Sequence, residues 1–295
     1  MSERSLRFKK APPNWKLYPA VLFNRKASQL DTQTILPRIA AQLEPVVIDP
    51  AHLARYRELT GSHRVANMPL AYPHVLASAL HLAMLTSAAF PVKLMGLVHV
   101  RNQISQCRPL GADSVGSLRC WLEGHRDTDK GQEFDLHTEW QAADGEVPWR
   151  EVSTFLARAP ASPGAAARSN ASNSVIAADS RAQTISFHAP AGLGRSYGWM
   201  AGDLNPIHLA DVSARLFGFR SAIAHGMWSL ARCAAELPVA RLDSPIELAV
   251  AFKLPIMLPS ALTLECCEED SALTFTLFDS QRLKPHLMGR LSATP

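Results

Sequence analysis

The segment Ile185-Ser186-Phe187, followed by Pro190-Ala191-Gly192-Leu193-Gly194-Arg195 and a glycine at Gly202, restates a stretch far upstream. There Val46-Val47-Ile48 leads into Pro50-Ala51-His52-Leu53-Ala54-Arg55 and stops at Gly61. Each copy reads as a strand, a short helix opened by proline, and a glycine that ends it. Proline suits a helix's first turn, and glycine takes the left-handed backbone beyond the last one. The correspondence continues. Pro73-His74-Val75 opens the apolar run Leu76 to Leu85, and Ala224-His225-Gly226 opens Met227 to Leu237, both of helical length and rich in good helix formers. Next, Val98-His99-Val100-Arg101-Asn102-Gln103-Ile104 corresponds to Val250-Ala251-Phe252-Lys253-Leu254-Pro255-Ile256. Leu118 to Cys120 corresponds to Leu262 to Cys266, and Leu136 to Trp140 to Thr274 to Phe278. These stretches read as strands, the last pair through its alternating polar and apolar residues. One helix followed by antiparallel strands, written twice, predicts an α+β fold in which each half wraps a sheet around a long central helix.

Between the copies, residues 160 to 183 are rich in small residues and poor in large apolar ones, a composition that predicts a flexible linker. The expected organisation is a first half over 1–160, a linker over 161–183 and a second half over 184–295. The chain has 295 residues, enough to bury a sizeable core, and its 47% hydrophobic and 19% charged residues exclude wholesale disorder. The net charge of +4 comes from scattered Lys and Arg, so no nucleic-acid stripe is expected. The five cysteines lack metal-type spacing, and adjacent Cys266-Cys267 cannot grip one zinc, so reduced thiols are expected. No apolar run reaches the length of a membrane span, and no apolar segment follows the charged N-terminus. The expectation is a cytoplasmic enzyme or binding protein.

The copies differ in one place. From Gly202 to His225 the chain runs 23 residues, but from Gly61 to His74 only 13. The additional ten include Asp203-Leu204-Asn205-Pro206-Ile207-His208, which has no counterpart in the first half. Asn205-Pro206 favours a turn, and Asn205 can bond its own backbone to shape it. Such a turn brings the Asp203 carboxylate and the His208 imidazole to one pocket. A carboxylate and an imidazole that share a water make a general acid/base pair, because imidazole titrates near neutrality. On this reading only the second half can do the chemistry.

A second element follows at His225-Gly226-Met227, the expected start of the second central helix. The first N–H groups of a helix lack internal partners and sit at its positive end, and Gly226 lets a ligand approach the main chain. An oxyanion could be held there. In the first half Val75 occupies the Gly226 position. Taken singly, each residue has a plainer reading: Asp203 as a helix-end residue, His208 as a satisfied polar side chain, Asn205-Pro206 as a turn. Their order and combination carry the signal.

Gly202-Asp203-Leu204-Asn205-Pro206-Ile207-His208, then Phe217, then Ile223-Ala224-His225-Gly226-Met227, then Phe252-Lys253-Leu254-Pro255, resemble the MaoC-like dehydratases, the (R)-specific enoyl-CoA hydratases. The first half, through Tyr72-Pro73-His74-Val75-Leu76 and Gly96-Leu97-Val98-His99-Val100-Arg101, is similar to the degenerate partner domain of two-domain members. The resemblance implies a double hot-dog fold, with Asp203 and His208 activating water, the Gly226 N–H receiving the thioester oxygen, and the first half walling the acyl tunnel. It also implies reversible syn hydration of a trans-2-enoyl thioester of CoA or acyl-carrier protein to the (R)-3-hydroxyacyl thioester, with no metal or redox cofactor. His225, Met227 and Lys253 are candidate substrate contacts, and a homodimer of such chains falls within the expectation, with no nucleic-acid or membrane partner. Leu258-Pro259-Ser260 departs from the family's usual turn, which leaves the tunnel's detail open.

Rival readings exist. Gly194-Arg195-Ser196-Tyr197-Gly198 satisfies the nucleophile-elbow pattern of α/β-hydrolases, but the expected short helix and strand-rich surroundings are the wrong context. A hot-dog thioesterase would direct water at the thioester carbon instead. A non-catalytic acyl-thioester-binding protein has no use for two proton-transfer groups in one turn. A metal held by Asp203, His208 and His225 ranks low, on the expectation that the helix start aims His225 elsewhere.

Overall fold

The computed structural model describes residues 4–22, 26–31, 36–159, 181–269, 271–281 and 285–294. Its first half holds β1 (Arg4–Phe8), α1 (Asn14–Leu22), β2 (Ile39–Val46), α2 (Pro50–Thr60), α3 (Tyr72–Thr86) and β3 (Leu97–Gln106). It continues with β4 (Gly116–Leu122), β5 (Arg126–Thr128), β6 (Gly131–Ala142) and β7 (Trp149–Arg158). The second half holds β8 (Gln183–Ala189), α4 (Leu193–Ala201), α5 (Pro206–Leu209), α6 (Asp211–Arg215), α7 (Gly226–Ala234) and α8 (Val239–Leu242). It closes with β9 (Ile246–Phe252), β10 (Ser260–Glu269), β11 (Ala272–Asp279) and β12 (Pro285–Ala293). The expected linker lies outside the described residues except for its last three, and the last of these, Gln183, already starts β8.

One sheet runs through the molecule in the order β1-β2-β4-β6-β7-β3-β9-β12-β11-β10-β8, with short β5 paired to β6. Outward from the central β3–β9 pair, both halves follow the same path: β3-β7-β6-β4-β2 on one side, β9-β12-β11-β10-β8 on the other. The repeat read in the sequence is therefore a repeat of topology. The junction is antiparallel, with Asn102 opposite Val250 and Ile104 opposite Leu248. Two described strands have no counterpart in the second half: β1, parallel to β2 at the outer edge, and short β5.

Local chemistry explains why the elements stop where they do. Asp49 caps α2 by accepting from the Ala51 N–H at 2.9 Å, Pro50 is its first residue, and Gly61 ends it in the left-handed region at φ 73°. Gly202 ends α4 in the same way at φ 75°. The central helix α3 is apolar on nearly every side because the sheet surrounds it, and Tyr72 and Leu80 are fully buried in it.

Four expectations need correction. The strand of the first copy covers Ile39–Val46 rather than Val46 to Ile48, because Ile39, Ala41 and Leu43 are the alternate residues facing the core, while Val47 is 70% exposed. Pro190 sits in the turn before α4, whose first residue is Leu193. Strand β9 ends at Phe252, short of Pro255, which has no N–H for a ladder. The second central helix has nine residues against fifteen in α3, because Pro238 disfavours helix in the residue before it and the chain turns after Ala234. Among the described residues no helix is long and apolar enough to cross a membrane.

Candidate active site

Helix α4 ends at Gly202, and the left-handed turn there throws Asp203 out of the helix. Asn205 then caps the one-turn helix α5, its side chain accepting from the Ile207 N–H at 3.4 Å, with Pro206 as the first residue. The turn expected from Asn205-Pro206 is thus a helix start. It presents His208 inward, where it is buried. Two glycines let this loop lie directly on α4. A methyl group at Gly194 would overlap the His208 carbonyl, and one at Gly198 would lie 2.7 Å from the Asp203 carbonyl. The Gly-x-Ser-x-Gly pattern is therefore a contact face four residues apart on a helix, not a nucleophile elbow.

Three polar groups converge. Asp203, His208 and His225 each offer a ligand-type atom, and these lie within 4.8 Å of one another, the carboxylate exposed and both imidazoles buried. His208 Nδ1 donates to the Ile223 carbonyl at 2.7 Å, which fixes the proton on that nitrogen and leaves Nε2 with its lone pair. His225, expected to aim elsewhere, in fact stacks on His208 with ring centres 3.7 Å apart, and its Nε2 donates to the Asp203 carbonyl at 3.0 Å. It braces the loop from behind. The near-parallel rings, 25° apart, also set a limit on metal binding, because the in-plane lone pairs of stacked imidazoles do not converge on one ion.

The electrostatics follow from burial and neighbours. Although about half of the Asp203 side chain reaches solvent, the protein packed around it opposes its ionisation; His225, His208, the Asn205 N–H and the Tyr18 hydroxyl outweigh this and hold the carboxyl below its usual range. Burial pushes His208 below the usual imidazole value, against the pull of Asp203 and the Ile223 carbonyl. His225 is depressed further, to about 3, by burial and by His208. At neutral pH the site holds a carboxylate and two neutral imidazoles.

Helix α7 begins at Gly226, directly after His225. The Phe252 ring stands 3.3 Å from where a Cβ would be, so any larger residue would press on it. Met227 is a core residue, buried at 6% exposure. Lys253 is exposed beside Phe252.

Two contacts from the first half were not foreseen. The Tyr18 hydroxyl donates to Asp203 Oδ1 at 3.2 Å and accepts from the Leu204 N–H. Asn14 Nδ2 donates to the Gly202 carbonyl at 2.8 Å. Neither residue stands in a recognisable motif, and only the fold brings α1 over the loop. Beside this contact a groove of about 430 Å³ reaches Gly202 and Leu204, bordered by Pro12, Leu76, Trp199 and Met200.

Comparison with known proteins now bears on this geometry. Residues 179–275, which include Asp203, His208 and Gly226, match the MaoC like domain. Over 252 residues the chain is 31% identical to 3-hydroxyacyl-thioester dehydratase X of Mycobacterium tuberculosis, covering 85% of this chain and 88% of that protein. The chain belongs to the MaoC-like dehydratase family. It is an enzyme, a hydro-lyase. A crystal structure of the same mycobacterial protein matches with a TM-score of 0.73 at 29% identity, over 86% of this chain and 100% of the other. A MaoC-like dehydratase from Phytophthora capsici shares the fold at 18% identity, with a TM-score of 0.71 over 90% and 98% of the two chains. The double hot-dog fold of these dehydratases is the fold of this chain.

Proposed function

We propose that this MaoC-like dehydratase adds water reversibly to a trans-2-enoyl thioester of CoA or acyl-carrier protein, giving the (R)-3-hydroxyacyl thioester. The observation that carries the reading is the fixed tautomer of His208, which spends its Nδ1 proton on the Ile223 carbonyl, in a ring that has a ligand-type nitrogen within 4.8 Å of an Asp203 carboxylate oxygen. One water molecule spans such a gap. Asp203 orients it, and His208 Nε2 takes a proton as the water oxygen bonds to C3. The alkene electrons move toward the thioester oxygen, where the Gly226 N–H at the start of α7 receives the developing charge. C2 then takes a proton from the Asp203/His208 pair on the same face, so that one water has been added. These groups suffice for acid–base chemistry without a metal or redox cofactor. Lys253 is a candidate contact for the carrier's phosphates.

The test is loss of the conjugated enoyl absorbance, with chiral analysis of the product. Asp203→Asn and His208→Asn should each slow the reaction by about 10²–10⁴. Full rates in both variants would overturn the assignment, and an (S) product would overturn the facial reading. Release of free thiol with the alkene intact would favour a thioesterase.

A further inference from the structure

We infer that Tyr18, delivered by helix α1 of the first half, is a positioning residue for the Asp203 carboxylate. The inference rests on the proposed role of Asp203 and names a participant that the loop itself does not contain. Asp203 Oδ1 receives two donors, the Tyr18 hydroxyl at 3.2 Å and the Asn205 N–H at 3.1 Å. Oδ2 is left for a water, with His225 Nε2 standing 3.8 Å away. The Tyr18 hydroxyl accepts from the Leu204 N–H while it donates to the carboxylate, so its one proton is directed at Oδ1. Burial and the nearby carboxylate push this phenol well above its usual range, and it stays a donor throughout the working pH.

The anchor is built, not incidental. Asn14, one turn earlier on α1, donates to the Gly202 carbonyl at 2.8 Å and to Ser78 Oγ of α3 at 3.3 Å. Asn14 and Tyr18 thus grip both sides of Asp203. The other groups that face the carboxylate are His208 on α5, His225 before α7, Tyr197 on α4 and His99 on β3. Among them Tyr18 supplies the direct side-chain hydrogen bond to the carboxylate.

Tyr18→Phe removes one hydroxyl and keeps the ring. Loss of a hydrogen bond to a charged group should lower kcat about tenfold to a hundredfold, with KM within about twofold. The Asp203 carboxyl, followed by 13C NMR of labelled aspartate and assigned by its absence in Asp203→Asn, should titrate at higher pH in the variant. A melting temperature close to that of the parent protein would show that the fold is intact. A fall in rate with an unmoved titration would reduce α1 to a packing cover and overturn the inference, as would an unchanged rate. A full-rate Asp203→Asn variant would instead overturn the proposed function and this inference together.

Discussion

In the proposed mechanism His208 is a base only in the tautomer that its bond to Ile223 enforces, so its proton balance should be readable in the pH profile. Its imidazole is held below the usual value by burial, and the Asp203 carboxyl lies below its own usual range. The competent pair, a carboxylate with a neutral imidazole, therefore persists to lower pH than free side chains would allow. For hydration, kcat/KM should stay level through neutrality and fall with a midpoint below about pH 6.5, as protons reach His208. A midpoint at or above that value would contradict the environment described for His208. At this scale the sequence was partly legible. Asp203, Asn205, Pro206, His208 and Gly226 lie in one ordered motif, and the fold brings Asp203 and His208 to one place. His225 was misjudged because a helix start does not by itself fix where its capping side chain points. Tyr18 was invisible, since it lies 185 positions from Asp203.

Helix α4 shows how an element can be written for its neighbour instead of for itself. Glycine costs a helix about 1 kcal/mol relative to alanine in its interior, yet α4 carries two, at Gly194 and Gly198. Their lost side chains admit the backbone of the Asp203–His208 loop. Gly194→Ala should improve the helix in isolation and damage the enzyme. The new methyl would displace the His208 carbonyl, and a shift of about 1 Å in a catalytic group can cost about a hundredfold in rate. Steady-state kinetics beside a circular-dichroism spectrum would check this, and a fully active Gly194→Ala would show that the loop does not need the contact. The paired glycines were legible as a pattern, and the nucleophile elbow was rightly set aside on its helical context, but their role as a contact face was not legible. Two glycines four positions apart fit both a strand-to-helix elbow and a helix face, and the packing shows which neighbour the face meets.

At the scale of the whole molecule, burial of neutral imidazoles ties folding to pH. Burial lowers His81, His99, His208, His225 and His286, so all five resist protonation while folded. The unfolded chain takes up these protons once the pH drops below about 6.5, and the folded chain does so only at lower pH. Over that window the unfolded state binds more protons, and stability must decline as the pH falls. Thermal melts should show Tm decreasing from pH 7 to pH 5, and a flat or rising Tm would contradict the buried-neutral picture. The double architecture itself was legible from the repeated strand–helix–glycine pattern. The continuity of the sheet through β3 and β9 was not, because pairing between distant strands leaves no mark on local periodicity.

The placement of Tyr18 and Asp203 on opposite halves gives the covalent connection between those halves a chemical consequence. Were the halves separate chains, each dilution would thin the population in which the phenol meets the carboxylate. Joined in one polypeptide, the encounter is intramolecular, and its effective concentration is set by chain length and not by expression level. The half without the Asp203–His208 loop can then drift in sequence, so long as it keeps one hydroxyl over its neighbour's carboxylate.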